Sequence, residues 1–173
     1  NPIDIQSIVG AADDIRDHFW YEKLASRVVI MIIAYIRGDA KIAQEYLKHN
    51  LVVSVQKSSL PDQILCLTMI AMLMADNGHY MYATELFGFI LNHPACPHGW
   101  FDKWSLLSQK LAELKSSLDT DSWDAAWERG KKKHLNEVIQ AHLDNPLNPM
   151  TAQQRANRQL LDPLTKRELQ IIA

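Results

Sequence analysis

The feature that most constrains this chain is a self-similarity at an offset of 40 residues. Ile36-Arg37-Gly38-Asp39-Ala40-Lys41-Ile42-Ala43 aligns with Asp76-Asn77-Gly78-His79-Tyr80-Met81-Tyr82-Ala83, so that Gly38 and Gly78 are each followed five residues later by Ala43 and Ala83. At the same offset Leu24 falls on Ile64, Ile30 on Ile70, Ile32 on Met72, Glu45 on Glu85 and Leu47 on Phe87. Repetition on this scale marks supersecondary units that bury their apolar faces against one another. Each Gly is suited to ending one helix in a left-handed conformation, and each Ala lets the next helix approach closely. The expected fold class is therefore all-α, built from antiparallel helix hairpins. The first helices, about 20–37 and 61–77, are apolar almost all round and are expected to be sandwiched. The second helices carry stripes at Ile42/Ala43/Tyr46/Leu47 and Ala83/Leu86/Phe87/Ile90 and are expected to lie outside.

Beyond the connector His93-Pro94-Ala95-Cys96-Pro97, the spacing of Trp104, Leu107, Leu111, Leu114 and Leu118 predicts a third long helix starting near Phe101. A break at Asp119-Thr120-Asp121 precedes a short helix with Trp123 and Trp127 one turn apart, and then a last helix bearing Leu135, Val138, Ile139 and Leu143. From 144 the chain turns polar and rich in Pro, Asn and Gln, with a short polar helix expected over 152–160. The expected organisation is a helical-repeat domain over 1–143, a linker over 144–162 and the start of another domain over 163–173.

Composition removes several classes of function. A formal charge of −2 leaves no global positive field to gather phosphates, so this segment by itself is not expected to bind DNA strongly. The apolar runs 28–36 and 66–75 are about half the ~20 residues that a membrane-crossing helix needs, so no membrane association is expected. Two cysteines, Cys66 and Cys96, are too few for a disulfide framework, and a reducing cytoplasm fits them. The opening Asn1-Pro2, with Asp4, Asp13, Asp14 and Asp17 close behind, reads as the interior of a longer protein.

His93, Cys96 and His98 form an H-x-x-C-x-H cluster and are the candidate metal ligands, although Pro94 and Pro97 favour a connector and no fourth ligand stands out. Cys66 reads as a small buried apolar residue. Met31, Met69, Met72, Met74 and Met81 read as core, and Trp100, Trp104, Trp123 and Trp127 as staples for a third hairpin. Arg129, Lys131, Lys132, Lys133 and His134 form the one dense basic run, with Asp119, Asp121, Asp124 and Glu128 at hand to neutralise it. No catalytic constellation and no G-x-x-x-x-G-K-[ST] loop is present, so neither enzyme activity nor a cofactor is expected of this chain.

Gly38/Ala43 and Gly78/Ala83, with their paired helices and Pro94 after the second pair, resemble tetratricopeptide-like repeats, whose usual length is 34 residues. The fold this implies is a tetratricopeptide-like α-solenoid. Leu91-Asn92-His93-Pro94-Ala95 and Trp123-Asp124-Ala125-Ala126-Trp127-Glu128-Arg129-Gly130 resemble the end of the repeat region in large bacterial NTPase-coupled regulators, the signal-transduction ATPases with numerous domains. Leu164-Thr165-Lys166-Arg167-Glu168-Leu169 resembles the opening of a LuxR-type helix-turn-helix domain, with Thr165 as helix cap and Glu168 reaching back to it. That family usually has Pro where Lys166 stands.

The resemblance implies a sensor module that binds a protein partner or small effector and relays the event to a DNA-binding domain beyond this chain. Leu164, Thr165, Arg167 and Glu168 would begin that domain. The alternative is an interaction scaffold, possible as a homo-oligomer, with no DNA-linked output.

Overall fold

The computed structural model describes residues 20–143, all of whose regular elements are helices. The expected linker over 144–162 and the helix-turn-helix start at Leu164, Thr165, Arg167 and Glu168 lie outside the described residues, as do the acidic positions before Trp20. Four helices come first: α1 (Trp20–Ile36), α2 (Ala40–Gln56), α3 (Leu60–Asp76) and α4 (Tyr80–Asn92). A short α5 (His98–Phe101), then α6 (Ser105–Ser117), α7 (Thr120–Lys131) and α8 (Leu135–Leu143) follow. No described helix is long and apolar enough to cross a membrane.

The regularity is finer than the 40-residue offset. Helices α1, α2 and α3 have 17 residues each and are joined by three-residue turns, so a helix starts every 20 residues. All three end in the same way. Gly38 N–H donates to the Tyr35 carbonyl at 3.0 Å and Asp39 N–H to that of Ala34 at 2.9 Å. Ser58 and Ser59 repeat this with Val55 and Ser54, and Gly78 and His79 with Ala75 and Met74. The paired bonds satisfy carbonyls that the helix leaves open, and they require a left-handed residue at the turn. Gly38 and Gly78 take φ of 78° and 79°, and Ser58 takes 53°. The middle turn was invisible to the Gly/Ala pattern because a serine occupies it.

Ala43 and Ala83 are both fully buried, where the second helix of each pair lies against the first. Of the expected layering, one half holds for α3, buried from Gln63 to Ala75 apart from the half-buried Leu65. The rest is corrected. Among the described residues helix α1 is not sandwiched: Val29, Ile33 and Ile36 stand 54%, 43% and 63% exposed on one face. Helix α4 is not outer: every residue from Ala83 to Ile90 is buried, because α7 covers the side that α3 leaves open.

The single helix expected from Phe101 is two. Trp104 is extended (φ −87°, ψ 93°), and this ends α5 and starts α6. The apolar stripe survives the break, with Leu107 and Leu114 buried and Leu111 and Trp104 packed beside them. Trp100 stacks on Trp104 with centroids 4.9 Å apart, and Trp123 on Trp127 at 5.3 Å. The expected third hairpin gives way to a different arrangement. Helix α6 leans on α3 and α4, while α7 packs on α4 more extensively than any other pair of helices packs.

The turn geometry makes a direct prediction. An added Cβ at Gly38 or Gly78 meets nothing within 4 Å, so substitution there strains only the backbone. Gly78→Ala is expected to lower unfolding free energy by about 1 kcal/mol, and Ser58→Gly to raise it by a similar or smaller amount. Urea midpoints for the two variants against the parent chain check both signs.

Candidate functional site

Helix α7 reaches α4 through two glycines. A Cβ on Gly88 would sit 2.5 Å from the Trp127 carbonyl oxygen, and one on Gly130 only 2.0 Å from that of Glu85 and 2.8 Å from Phe89 N. Both are closer than atoms can approach, so the two backbones touch where neither residue has a side chain. Beside this crossing Glu85 is buried at 3% exposure. Its Oε2 accepts from Arg129 Nε at 3.0 Å, and its Oε1 pairs with Lys133 Nζ at 3.0 Å. Two cations, Arg129 near the end of α7 and Lys133 just beyond it, thus hold a carboxylate that burial would otherwise disfavour.

This arrangement changes the reading of the basic run. Arg129 and Lys133 point to Glu85 of α4, and Lys131 pairs with Glu128 at 2.5 Å, so most of the charge is matched within the fold. Of the acids expected to neutralise it, Glu128 does so. Asp119 instead caps α7, accepting from Ser122 N–H at 2.8 Å, and that bond and the Ser122 hydroxyl hold its carboxyl below the usual range. Glu85 matches Glu45 in the repeat, yet Glu45 is exposed, and the matched pattern therefore carried no sign of the ion pairs.

A second polar link joins α1, α3 and α6. Lys110 Nζ binds Asp76 at 2.5 Å and Glu113 at 2.6 Å. Burial pulls the ammonium down, but these two carboxylates carry it upward on balance. Tyr35 at the end of α1 hydrogen-bonds Asp76, and burial together with that carboxylate raises its hydroxyl well above its ordinary range.

The crossing positions α8. Val138 and Ile139 enter the core, and His142 Nε2 lies 2.9 Å from the Tyr82 hydroxyl at the start of α4. Folded back in this way, α8 meets the end of α2 and the start of α3 around a cleft of ≈ 230 Å³. Val55, Leu60, Leu135 and Ile139 form its apolar walls, and Ser58, Gln63, Asn136 and Gln140 its polar ones. Gln63 is 7% exposed and donates from Nε2 to the Ser54 carbonyl at 3.1 Å, which ties the mouth of the cleft to the end of α2. This is the candidate recognition feature. None of its residues was singled out from sequence as a site, since they come from three helices and one turn, reach from Val55 to Gln140 and share no motif.

The expected packing residues Gly38, Ala43, Gly78 and Ala83 occupy the turns and helix contacts described above. His93, Cys96 and His98 do not assemble as metal ligands. Among the described residues no group of three or more His, Cys, Asp or Glu is placed to hold an ion. His93 Nδ1 accepts from Ala95 N–H at 3.1 Å and its ring lies against Phe89, while burial and Asp102 push the Cys96 thiol up to about 11. Cys66 is fully buried and its thiol is raised by burial, then by Asp62. Met31, Met69, Met72 and Met74 are core, but Met81 is 38% exposed.

No family model, curated protein or solved structure matches this chain.

Two substitutions test the crossing. Gly130→Ala is expected to cost at least about 2 kcal/mol, since the obstacle is backbone that cannot give way cheaply. Glu85→Gln, which keeps the shape and removes the charge, is expected to cost about 2 kcal/mol. A double-mutant cycle with Lys133→Met should recover a coupling of at least about 0.5 kcal/mol, and additive losses would show that the pair is not coupled.

Proposed function

We propose that this chain is the helical-repeat sensor of a bacterial transcriptional regulator, binding a protein partner or small effector and relaying that event to a DNA-binding domain beyond it. The observation that carries the reading is the 20-residue progression of helices with identical turns at 38, 58 and 78. Equal units stacked in sequence belong to α-solenoids, whose extended surfaces are used for recognition. The tetratricopeptide-like assignment and the LuxR-type character of 163–173 rest on sequence resemblance, with Leu164, Thr165, Arg167 and Glu168 as the carriers of the second.

The cleft suits the sensing role. It lies between the repeat helices and α8, the last described element before 144, so an occupant that wedges there acts on the helix leading into the expected linker. Its residues offer apolar walls with carboxamide groups, a lining for an uncharged or peptide-like ligand. No reaction is assigned, and any NTPase would belong to another domain.

The test uses the chain expressed with whatever sequence follows position 173 in its gene. DNA retention by that protein, with signal-dependent reporter output lowered at least about five-fold by Ile139→Asp, is the expected result. Failure to bind DNA at low salt would overturn the regulator reading in favour of a scaffold. Unchanged output from the variant would remove the cleft from the relay.

A further inference from the structure

Resting on the cleft's role as the recognition feature, we infer that it is an anchor pocket for one ring-sized apolar side chain of a partner protein, whose flanking main chain the polar groups at the mouth engage. Its size selects a side chain over a free ligand. At ≈ 230 Å³ the cleft is small, below the range of roughly 300–1,000 Å³ typical of sites that enclose a small molecule. A space of about 150 Å³ holds a benzene ring, so one aromatic or branched side chain fits with little to spare. Single side chains seated in such pockets carry much of the energy of protein association.

Depth sorts the lining. Ile139 and Gln63 are buried, Val55 and Leu135 half-buried, and Leu60, Ser58 and Asn136 exposed, so a side chain enters an apolar space while its main chain stays at a mixed rim. Among the described residues that line the cleft none is charged. An ionised effector would lose hydration there without gaining an opposite charge from the walls. A peptide group is neutral and offers one donor and one acceptor, the complement of a hydroxyl or carboxamide. Ser58 adds an independent sign. Glycine takes the left-handed position at 38 and 78, but at 58 a serine takes it at φ 53°, and that strained residue is the one of the three that lines the cleft.

Methyl NMR on the full chain tests this with N-acetyl-phenylalaninamide, N-acetylglycinamide and benzyl alcohol as probes. N-acetyl-phenylalaninamide is expected to shift the methyls of Val55, Leu60, Leu135 and Ile139, with a Kd on the order of millimolar. It should bind at least about ten-fold tighter than N-acetylglycinamide, which lacks the ring, and at least about three-fold tighter than benzyl alcohol, which lacks the peptide groups. Asn136→Phe, which puts a ring at the mouth from an exposed helix position, should weaken N-acetyl-phenylalaninamide at least about ten-fold; the comparison of probes on the parent chain decides without this variant should it fail to fold. Benzyl alcohol binding as tightly as the blocked amino acid would overturn the inference and give the cleft to a free small effector. Methyls that no probe shifts would also overturn it. In that case a reporter response to Ile139→Asp would leave the cleft its sensing role, and no response would remove that role as well.

Discussion

The position of α7 and α8 depends on a contact between two backbones. At Gly88 and Gly130 the axes of α4 and α7 come closer than any side chain would permit, and this closeness buries both sides of α4. A helix that buries eight consecutive residues needs neighbours on opposite faces, and α3 supplies only one of them. Close packing rewards such an approach through many small dispersion contacts, and it punishes one added methyl severely. From this crossing α7 delivers Arg129 to Glu85, the connection after it adds Lys133, and the chain passes into α8, which returns to α2 and closes the cleft.

The ion pairs at Glu85 act on geometry more than on net stability. Burying a carboxylate is unfavourable unless its partners are well placed, and here Arg129 comes from the last turn of α7 and Lys133 from the connection that follows it. Sliding α7 along α4 would separate the carboxylate from its cations while leaving apolar contacts largely interchangeable. The charges therefore select one register among several that hydrophobic burial alone would accept. Tyr35, Asp76 and Lys110 play a comparable part at the ends of α1, α3 and α6, where three helices meet at one carboxylate.

Much of the fold was legible from sequence where the signal was local. Gly38 and Gly78 announce left-handed turns, and Ala43 and Ala83 announce close contacts, because each residue type answers a need within a few positions of itself. Ser58 makes an equivalent turn with a residue that ordinarily avoids that conformation, so the 20-residue period was read as one of 40. Gly88 and Gly130 look like poor helix formers until their partners are known, and neither reveals the other at a separation of 42 positions. The layering misled for a related reason: the apolar character of α1 suits a helix with neighbours all round, yet the described residues cover only part of its surface. The cleft was the least legible, being a property of the spaces between helices.

The three turns are chemically alike but not alike in surroundings, and chain length follows different rules at each. Successive antiparallel helices place 38 and 78 at one edge of the stack, where a Cβ added at Gly38 or Gly78 meets nothing within 4 Å among the described residues. The turn at 58 is at the opposite edge, and Ser58 itself lines the cleft against α8. Loops facing solvent absorb inserted residues at a small entropic penalty. Growth at 38 or 78 would therefore leave the helices in place, whereas growth at 58 would push against α8. The molecule has one edge open to variation in length and one edge at which length is held constant by what packs on it.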